Sequence, residues 1–156
     1  VKLLMDMAVN KFKTFSKKYN AENIKIIFSG KKTGLRSDVL EAMEVVAEKT
    51  KNNTRGTINF CFNYDGNEEI DDVNKGLLDI NDLNRENFTK YLYQNLPPVD
   101  LVIRTSGEMR TSSFMLWESA YSELYFCPKY FPDFKEQEFE QALIEYNKRD
   151  RRFGGN

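Results

Sequence analysis

Within ten residues the chain places Arg104, Glu108, Arg110, Ser112 and Ser113, just past the apolar run 99–103. Each guanidinium presents a planar fork that matches phosphate oxygens. If the following run, Phe114 to Trp117, is a short helix, the two serines stand at its N-terminus, where unpaired amides and the dipole favour an anion. Together these groups make a diphosphate clamp. Glu108 lies between the arginines and either orients them by ion pairing or touches the ligand. Glu123 precedes the apolar run Leu124 to Phe126 and is either a Mg²⁺ ligand bridging to a bound diphosphate or a solvated charge at a strand start. Thr105, Ser106 and Gly107 offer a small anion nest. Trp117 and Tyr121, at i and i+4, read as core packing.

Composition narrows the chemistry further. The chain has 156 residues, enough for one domain with a sizeable core, and a net charge of −1. No global field draws it to nucleic acid or to a membrane, so its basic residues act locally. There is no histidine, which removes Ser-His-Asp and Cys-His catalysis and any His-ligated metal. An oxygen-bound Mg²⁺ is the metal most compatible with what remains. The two cysteines, Cys61 and Cys127, form no CxxC, and no signal peptide or membrane-spanning run is visible. A reducing, cytoplasmic setting is the expectation, with Cys61 a buried thiol. Twelve Phe and eight Tyr exceed what a core of this size needs, so some rings are expected to line a cavity.

The elements that must position the clamp alternate between helix and strand. Apolar residues at helical spacing predict a helix from Val1 to Tyr19, beginning in mid-pattern with no cap. Ile24 to Phe28 reads as a strand. Leu35 to Lys49 reads as a helix with Ser37 as N-cap. Thr57 to Tyr64 alternates strictly: Ile58, Phe60, Phe62 and Tyr64 on one face, Asn59, Cys61 and Asn63 on the other. That polar face is either functional or simply part-exposed. Asp65 and Gly66 make a turn, and Glu68 to Leu83 is acidic and weakly periodic. A helix is expected over Asn87 to Leu96, stopped by Pro97 and Pro98. A last helix, Phe134 to Arg149, carries a capping box of Asp133 with Glu136 and a buried stripe of Phe139, Leu143 and Tyr146. This alternation predicts one α/β domain over 1–156 with a mostly parallel sheet flanked by helices, in which ligands sit beyond the carboxyl ends of the strands. Arg104 lies at such an end.

The run DLVIRTSGEMRTSSFMLWESAYSELYF closely resembles the late signature of the cis-prenyltransferases, the undecaprenyl diphosphate synthase family. KTKNNTRGTINFCFNYDG resembles that family's strand and Asn-Tyr turn. FPDFKEQEFEQALIEYNKRDRRFGG resembles its closing helix and tail, and VKLLMDMAVNKF the start of its long third helix. The resemblance spans nearly the whole chain. It implies a parallel sheet flanked by helices, a homodimer, and a hydrophobic tunnel for a growing polyprenyl chain. It also implies a Mg²⁺-dependent condensation of isopentenyl diphosphate onto an allylic diphosphate, (2E,6E)-farnesyl diphosphate, giving a Z-polyprenyl diphosphate of the cell-wall lipid-carrier kind. Carried over by position, Arg104, Arg110, Thr111 and Ser112 hold isopentenyl diphosphate, and Glu123 binds Mg²⁺. Glu108 and Asn63 support the site, and Arg152 and Gly154 belong to the tail that reaches the partner subunit. The resemblance implies no nucleic-acid partner, and any membrane contact is peripheral, through the product.

The departures from the family pattern are as informative. The Asp-Gly-Asn-Gly-Arg-Trp type loop that carries the catalytic aspartate is absent from these residues, as is the second signature with its asparagine. DGN follows Tyr64 where the family has GGR, the helix between Ile70 and Leu83 is shorter by about three turns, and Met109 stands where many members have histidine. The expectation is the C-terminal part of a synthase, lacking the first strand or strands. It would supply the isopentenyl diphosphate half-site, with its catalytic residues upstream of Val1. The alternatives are a non-catalytic partner subunit of a heteromeric cis-prenyltransferase, or a generic phosphate-binding domain.

Overall fold

A computed structural model describes residues 2–76 and 83–151. The chain divides into two compact units, 1–64 and 65–156. The expected contents of 77–82, and the tail residues Arg152 and Gly154, lie outside the described residues.

The first unit runs α1 (Lys2–Ala21), β1 (Ile24–Ser29), α2 (Ser37–Thr50) and β2 (Gly56–Cys61). β1 and β2 pair in parallel, Ile24 opposite Gly56 through Ser29 opposite Cys61. The helical spacing read from the sequence is realised: α1 buries Ala8 and Phe12, and α2 buries Val39, Met43 and Val46 against Ile26. Thr50, fully buried, donates its hydroxyl to the Val46 carbonyl (2.9 Å) and accepts the Ile26 amide (3.0 Å), fastening the end of α2 to β1. Ser37 is not the cap. The N-cap position is Arg36, without a side-chain cap bond, and its guanidinium reaches both Asp6 of α1 and Asp38 at 2.6 Å.

β2 is shorter than its alternating pattern. Asn63 takes a left-handed φ of 53° and leaves the ladder. Its amide donates to the Lys31 carbonyl (2.9 Å), while its own carbonyl accepts the Lys31 amide (3.1 Å). Gly30, at φ 124°, permits this approach, since a Cβ there would stand 2.1 Å from the Phe62 carbonyl oxygen. The two faces of β2 separate as the alternation requires. Phe60 and Phe62 meet Phe12 at ring-centroid distances of 6.1 and 5.8 Å. Asn59 donates across the pair to the Ser29 hydroxyl (2.9 Å). Cys61 is half-buried, and Cys127 is the buried thiol.

The second unit contains α3 (Gly66–Gly76), β3 (Leu101–Arg104), β4 (Glu123–Phe126) and α4 (Glu136–Asn147). Asp65 is an N-cap rather than a turn residue: its carboxylate accepts the Asn67 amide at 2.8 Å. β3 and β4 are parallel, Leu101 opposite Glu123 and Arg104 opposite Phe126. The ladder continues past the strands, with Ser106 donating to the Lys129 carbonyl (2.7 Å) and Gly107 to the Cys127 carbonyl (3.0 Å). These two amides are therefore committed within the fold and form no anion nest.

Three expectations fail in this unit for identifiable reasons. The helix expected over Asn87 to Leu96 is one 3₁₀ turn, Phe88–Tyr91. Its continuation is taken by tertiary bonds: the Tyr93 amide donates to Glu69 (2.8 Å) and the Tyr93 hydroxyl to Asp72 (2.7 Å). The run Phe114 to Trp117 forms successive turns instead of a helix, with Ser112, Ser113 and Met115 at φ 50°, 57° and 47°. A right-handed helix cannot start from such residues. α4 begins later than expected, and its cap interaction is the Lys135 amide donating to Glu138 (2.8 Å), not the pair Asp133 and Glu136. Its fully buried residue is Ala142, while Phe139 and Leu143 of the expected stripe are exposed. Both strand pairs are parallel and helices pack on them, so the architecture is α/β as expected.

Candidate functional site

Arg104 ends β3. Its guanidinium donates to the Ser112 hydroxyl (2.9 Å) and to the Arg110 carbonyl, folding the segment 105–113 back over the strand end. Among the described residues no carboxylate lies within ion-pair reach of Arg104. Arg110 is mostly exposed and paired with Glu108, the orienting role that its position between the arginines suggested. Thr111 and Ser112 join Arg104 on the rim of a cavity of about 430 Å³, whose floor is Leu101, Ile103, Phe114 and Met115. A concave apolar floor with a few convergent polar groups suits a small ligand with one charged end.

Ser113 does a different job from Ser112. Its carbonyl accepts the Gly66 amide (3.1 Å) and its hydroxyl lies 3.2 Å from the Asp65 carboxylate. A Cβ on Gly66 would stand 2.0 Å from the Ser113 carbonyl oxygen. The start of α3 is thus bolted to the loop that carries Thr111 and Ser112. Trp117 and Tyr121 do not pack in a core. Trp117 is part-exposed with its ring centroid 4.2 Å from that of Phe88, and Tyr121 is largely exposed.

Glu123 opens β4, whereas Arg104 closes β3. In this parallel register they stand at opposite ends of the strand pair, about 10 Å apart along the strand direction. Glu123 pairs with Arg149 (2.8 Å), which also donates to Glu145 (2.8 Å) and to the Leu124 carbonyl (3.0 Å). Beside it Arg151 donates to Asp100 (2.7 Å). These flanking bonds hold the Arg149 and Arg151 guanidinium groups firmly charged, and they hold the Asp100 carboxyl below its usual range through the hydrogen bond from Arg151. Among the described residues no group of three or more His, Cys, Asp or Glu is placed to hold a metal ion. The Arg149 triad was not anticipated, although the i, i+4 spacing of Glu145 and Arg149 was a signal for half of it.

Asn63, the remaining supporting candidate, is spent on closing the β1–α2 loop, as described above. The first unit carries its own cavity, about 450 Å³, walled by Leu4, Met7, Phe12, Phe15, Phe60 and Phe62 among others. It is strongly apolar, and Leu4 and Met7 of its wall are exposed.

The chain is an α/β protein with parallel strand pairs and a cationic, part-apolar cavity at a strand's carboxyl end, the place where ligands bind in open α/β sheets. Comparisons narrow the class. The family model described as "Putative undecaprenyl diphosphate synthase" matches residues 1–154. An isoprenyl transferase of Fusobacterium nucleatum is 43% identical over 157 residues, spanning 99% of this chain and 68% of that protein. One from Thermotoga maritima is 44% identical over 162 residues, spanning 99% and 70%. The crystal structure of a probable undecaprenyl diphosphate synthase from Campylobacter jejuni has a TM-score of 0.84 at 30% identity, covering 97% of this chain and 71% of that one. Lavandulyl diphosphate synthase from Lavandula x intermedia, in complex with dimethylallyl diphosphate, has a TM-score of 0.84 at 28% identity, covering 99% and 72%. This chain belongs to the undecaprenyl diphosphate synthase family.

Proposed function

We propose that the chain binds isopentenyl diphosphate beyond β3 and works as part of a cis-prenyltransferase. That enzyme joins isopentenyl diphosphate to an allylic diphosphate and extends a Z-polyprenyl chain. The observation that carries this reading is Arg104: a strand-end guanidinium that braces Ser112 and the Arg110 carbonyl and has no carboxylate to neutralise it among the described residues. Arg104 and Arg110 would receive the diphosphate, Thr111 and Ser112 would donate to its remaining oxygens, and the apolar floor would take the five-carbon end. The apolar cavity of the first unit is proposed to line the path of the prenyl chain. Farnesyl diphosphate is the allylic partner this reading favours, and a homodimer in the cytoplasm its setting. The Arg152 to Gly155 tail would serve the neighbouring subunit.

Magnesium fits the described residues poorly. Glu123 is already held by Arg149, which it shares with Glu145, and among the described residues it belongs to no group of three or more metal-ligating side chains. It would serve as a metal ligand only by giving up that partner. What this chain's own residues contribute is charge neutralisation and orientation of the diphosphate.

Calorimetric titration of isopentenyl diphosphate into the chain and its Arg104→Ala variant tests the proposal. Binding by the parent and none measurable by the variant is the expected result. Equal affinity in the two would remove Arg104 from the site and the proposal with it.

A further inference from the structure

The net charge of −1 conceals an uneven division. Residues 1–64 carry twelve Lys and Arg against six Asp and Glu, whereas 65–156 carry eleven against eighteen. Much of the first unit's excess lies on α1, where five lysines stand against a single acid, Asp6. That acid is already neutralised, since Arg36 donates to it at 2.6 Å. α1 faces the core with Ala8, Phe12 and Ser16. It turns Leu3, Leu4 and Met7 outward, 71%, 65% and 50% exposed. Lys11, Thr14 and Lys18, all exposed, continue the row from Leu4 and Met7 at steps of three and four residues, and exposed Lys17 flanks it. One outer face is therefore apolar over its first two turns and basic beyond them. Among the described residues Lys11, Lys17 and Lys18 have no carboxylate partner. The apolar end also borders the cavity of about 450 Å³ in this unit, whose wall includes Leu4, Met7 and Lys11. Adjacent apolar side chains left in water beside a run of cations mark a surface that meets another molecule or phase.

We propose that the outer face of α1 docks the chain on an anionic lipid surface. Leu3, Leu4 and Met7 enter the acyl boundary, and Lys11, Lys17 and Lys18 lie over acidic headgroups. A bilayer of this kind is apolar within and negative at its surface, which matches an apolar helix end followed by lysines. A nucleic acid would meet the lysines but leave the leucines and the methionine in water. A second copy of α1 would set lysines against lysines in one orientation and against the apolar residues in the other, and neither pairing supplies a carboxylate. No helix among the described residues is long and apolar enough to cross a membrane, so the contact is peripheral. It runs through α1 itself rather than only through a bound product. Because Leu4 and Met7 also line the first unit's cavity, docking brings the rim of that cavity to the apolar layer. The proposal rests on α1 alone and stands independently of isopentenyl diphosphate binding beyond β3.

Co-sedimentation of the full chain with vesicles tests this. Vesicles of phosphatidylcholine containing about 30 mol% phosphatidylserine are compared with phosphatidylcholine alone, in about 0.1 M salt. Binding to the anionic vesicles is expected to be at least about tenfold stronger, and to weaken in about 0.5 M salt as the charges are screened. Leu3→Gln with Leu4→Gln should lower the partition coefficient about tenfold. Lys11→Glu with Lys18→Glu should lower it by about tenfold or more. Lys49→Glu with Lys51→Glu, at the end of α2, changes the net charge equally and should move binding by less than about twofold. An equal loss in that control would make the attraction a matter of total charge and overturn the assignment to α1. Melts followed by circular dichroism check that each variant folds. If the leucine variant does not, the lysine variant on its fully exposed positions decides alone. Equal binding to both kinds of vesicle, or binding to neither, overturns the proposal. So does self-association in sedimentation velocity that the leucine variant abolishes while vesicles capture nothing, because the face then belongs to a second copy.

Discussion

The β3–β4 pair carries two arginines at each end and uses them in opposite ways. At the end where the strands begin, Arg149 is met by Glu123 and Glu145, and Arg151 by Asp100. At the end where they finish, Arg104 meets a hydroxyl and a carbonyl, and Arg110 meets only Glu108 on an exposed loop. The first set is neutralised within the fold and pins the end of α4 to the strands. In the second set Arg110 is paired with Glu108, and Arg104 alone keeps an unneutralised charge, beside an apolar cavity. A buried or half-buried arginine matched by carboxylates has little left for a ligand, whereas one held in place by neutral acceptors is oriented but still charged. Four arginines of one chemical type thus divide by their neighbours: Arg149, Arg151 and Arg110 meet carboxylates, and Arg104 meets only neutral acceptors among the described residues.

The contrast can be broken most decisively at Arg104. Arg104→Ala is expected to abolish measurable isopentenyl diphosphate binding by calorimetry, a loss of about 30-fold or more if it removes a charge-assisted contact worth about 2–3 kcal/mol. Gly66→Ala comes next. Its methyl group would collide with the Ser113 carbonyl, and overpacking of this kind costs about 1–3 kcal/mol, seen as a lowered denaturation midpoint together with weaker ligand binding. A variant of normal stability would show that α3 and the loop are not locked together. At the opposite end, Arg149→Gln and Glu123→Gln should each lower stability by about 1 kcal/mol, allowing for their partial exposure. Neither should move isopentenyl diphosphate affinity by more than about twofold in the absence of metal. A large loss of affinity in either variant would merge the two ends into one site. The smallest effect belongs to Arg151→Ala. Asp100 has its folded-state pKa depressed by Arg151, so the stability lost in the variant is present above the ordinary aspartate range and vanishes as pH falls through the folded value. Melting curves of parent and variant should therefore meet under acid conditions. A constant offset would mean that Arg151 acts through its stacking on Tyr146 rather than through charge.

α1, α2 and the alternating strand β2 were legible because each shows its period over many residues. Met5, Ala8 and Phe12, or Val39, Met43 and Val46, announce one buried face without reference to anything distant. Arg104, Arg110, Ser112 and Ser113 stood out for a related reason, since two arginines and two serines crowd into one short stretch. The segments 87–96 and 111–122 were not legible. Their backbone amides are claimed by distant acceptors, as when Glu69 takes Tyr93, and Ser112, Ser113 and Met115 are held in left-handed conformations that their residue types do not advertise. Glu118 escaped notice too: a lone acid in an aromatic run looks like a surface charge until the chain closes around it.

Local pattern and residue chemistry alone thus settle the α/β class, the main helices and strands and the family resemblance, and they single out one stretch as the candidate site. The partnering of charges is a property of the folded chain. Strand register places Glu123 at the far end from Arg104, and chain closure gives it to Arg149 and buries Glu118. Periodicity acts over a few residues, whereas neutralisation acts through space, between groups that lie 26 and 51 positions apart for Arg149 with Glu123 and Arg151 with Asp100.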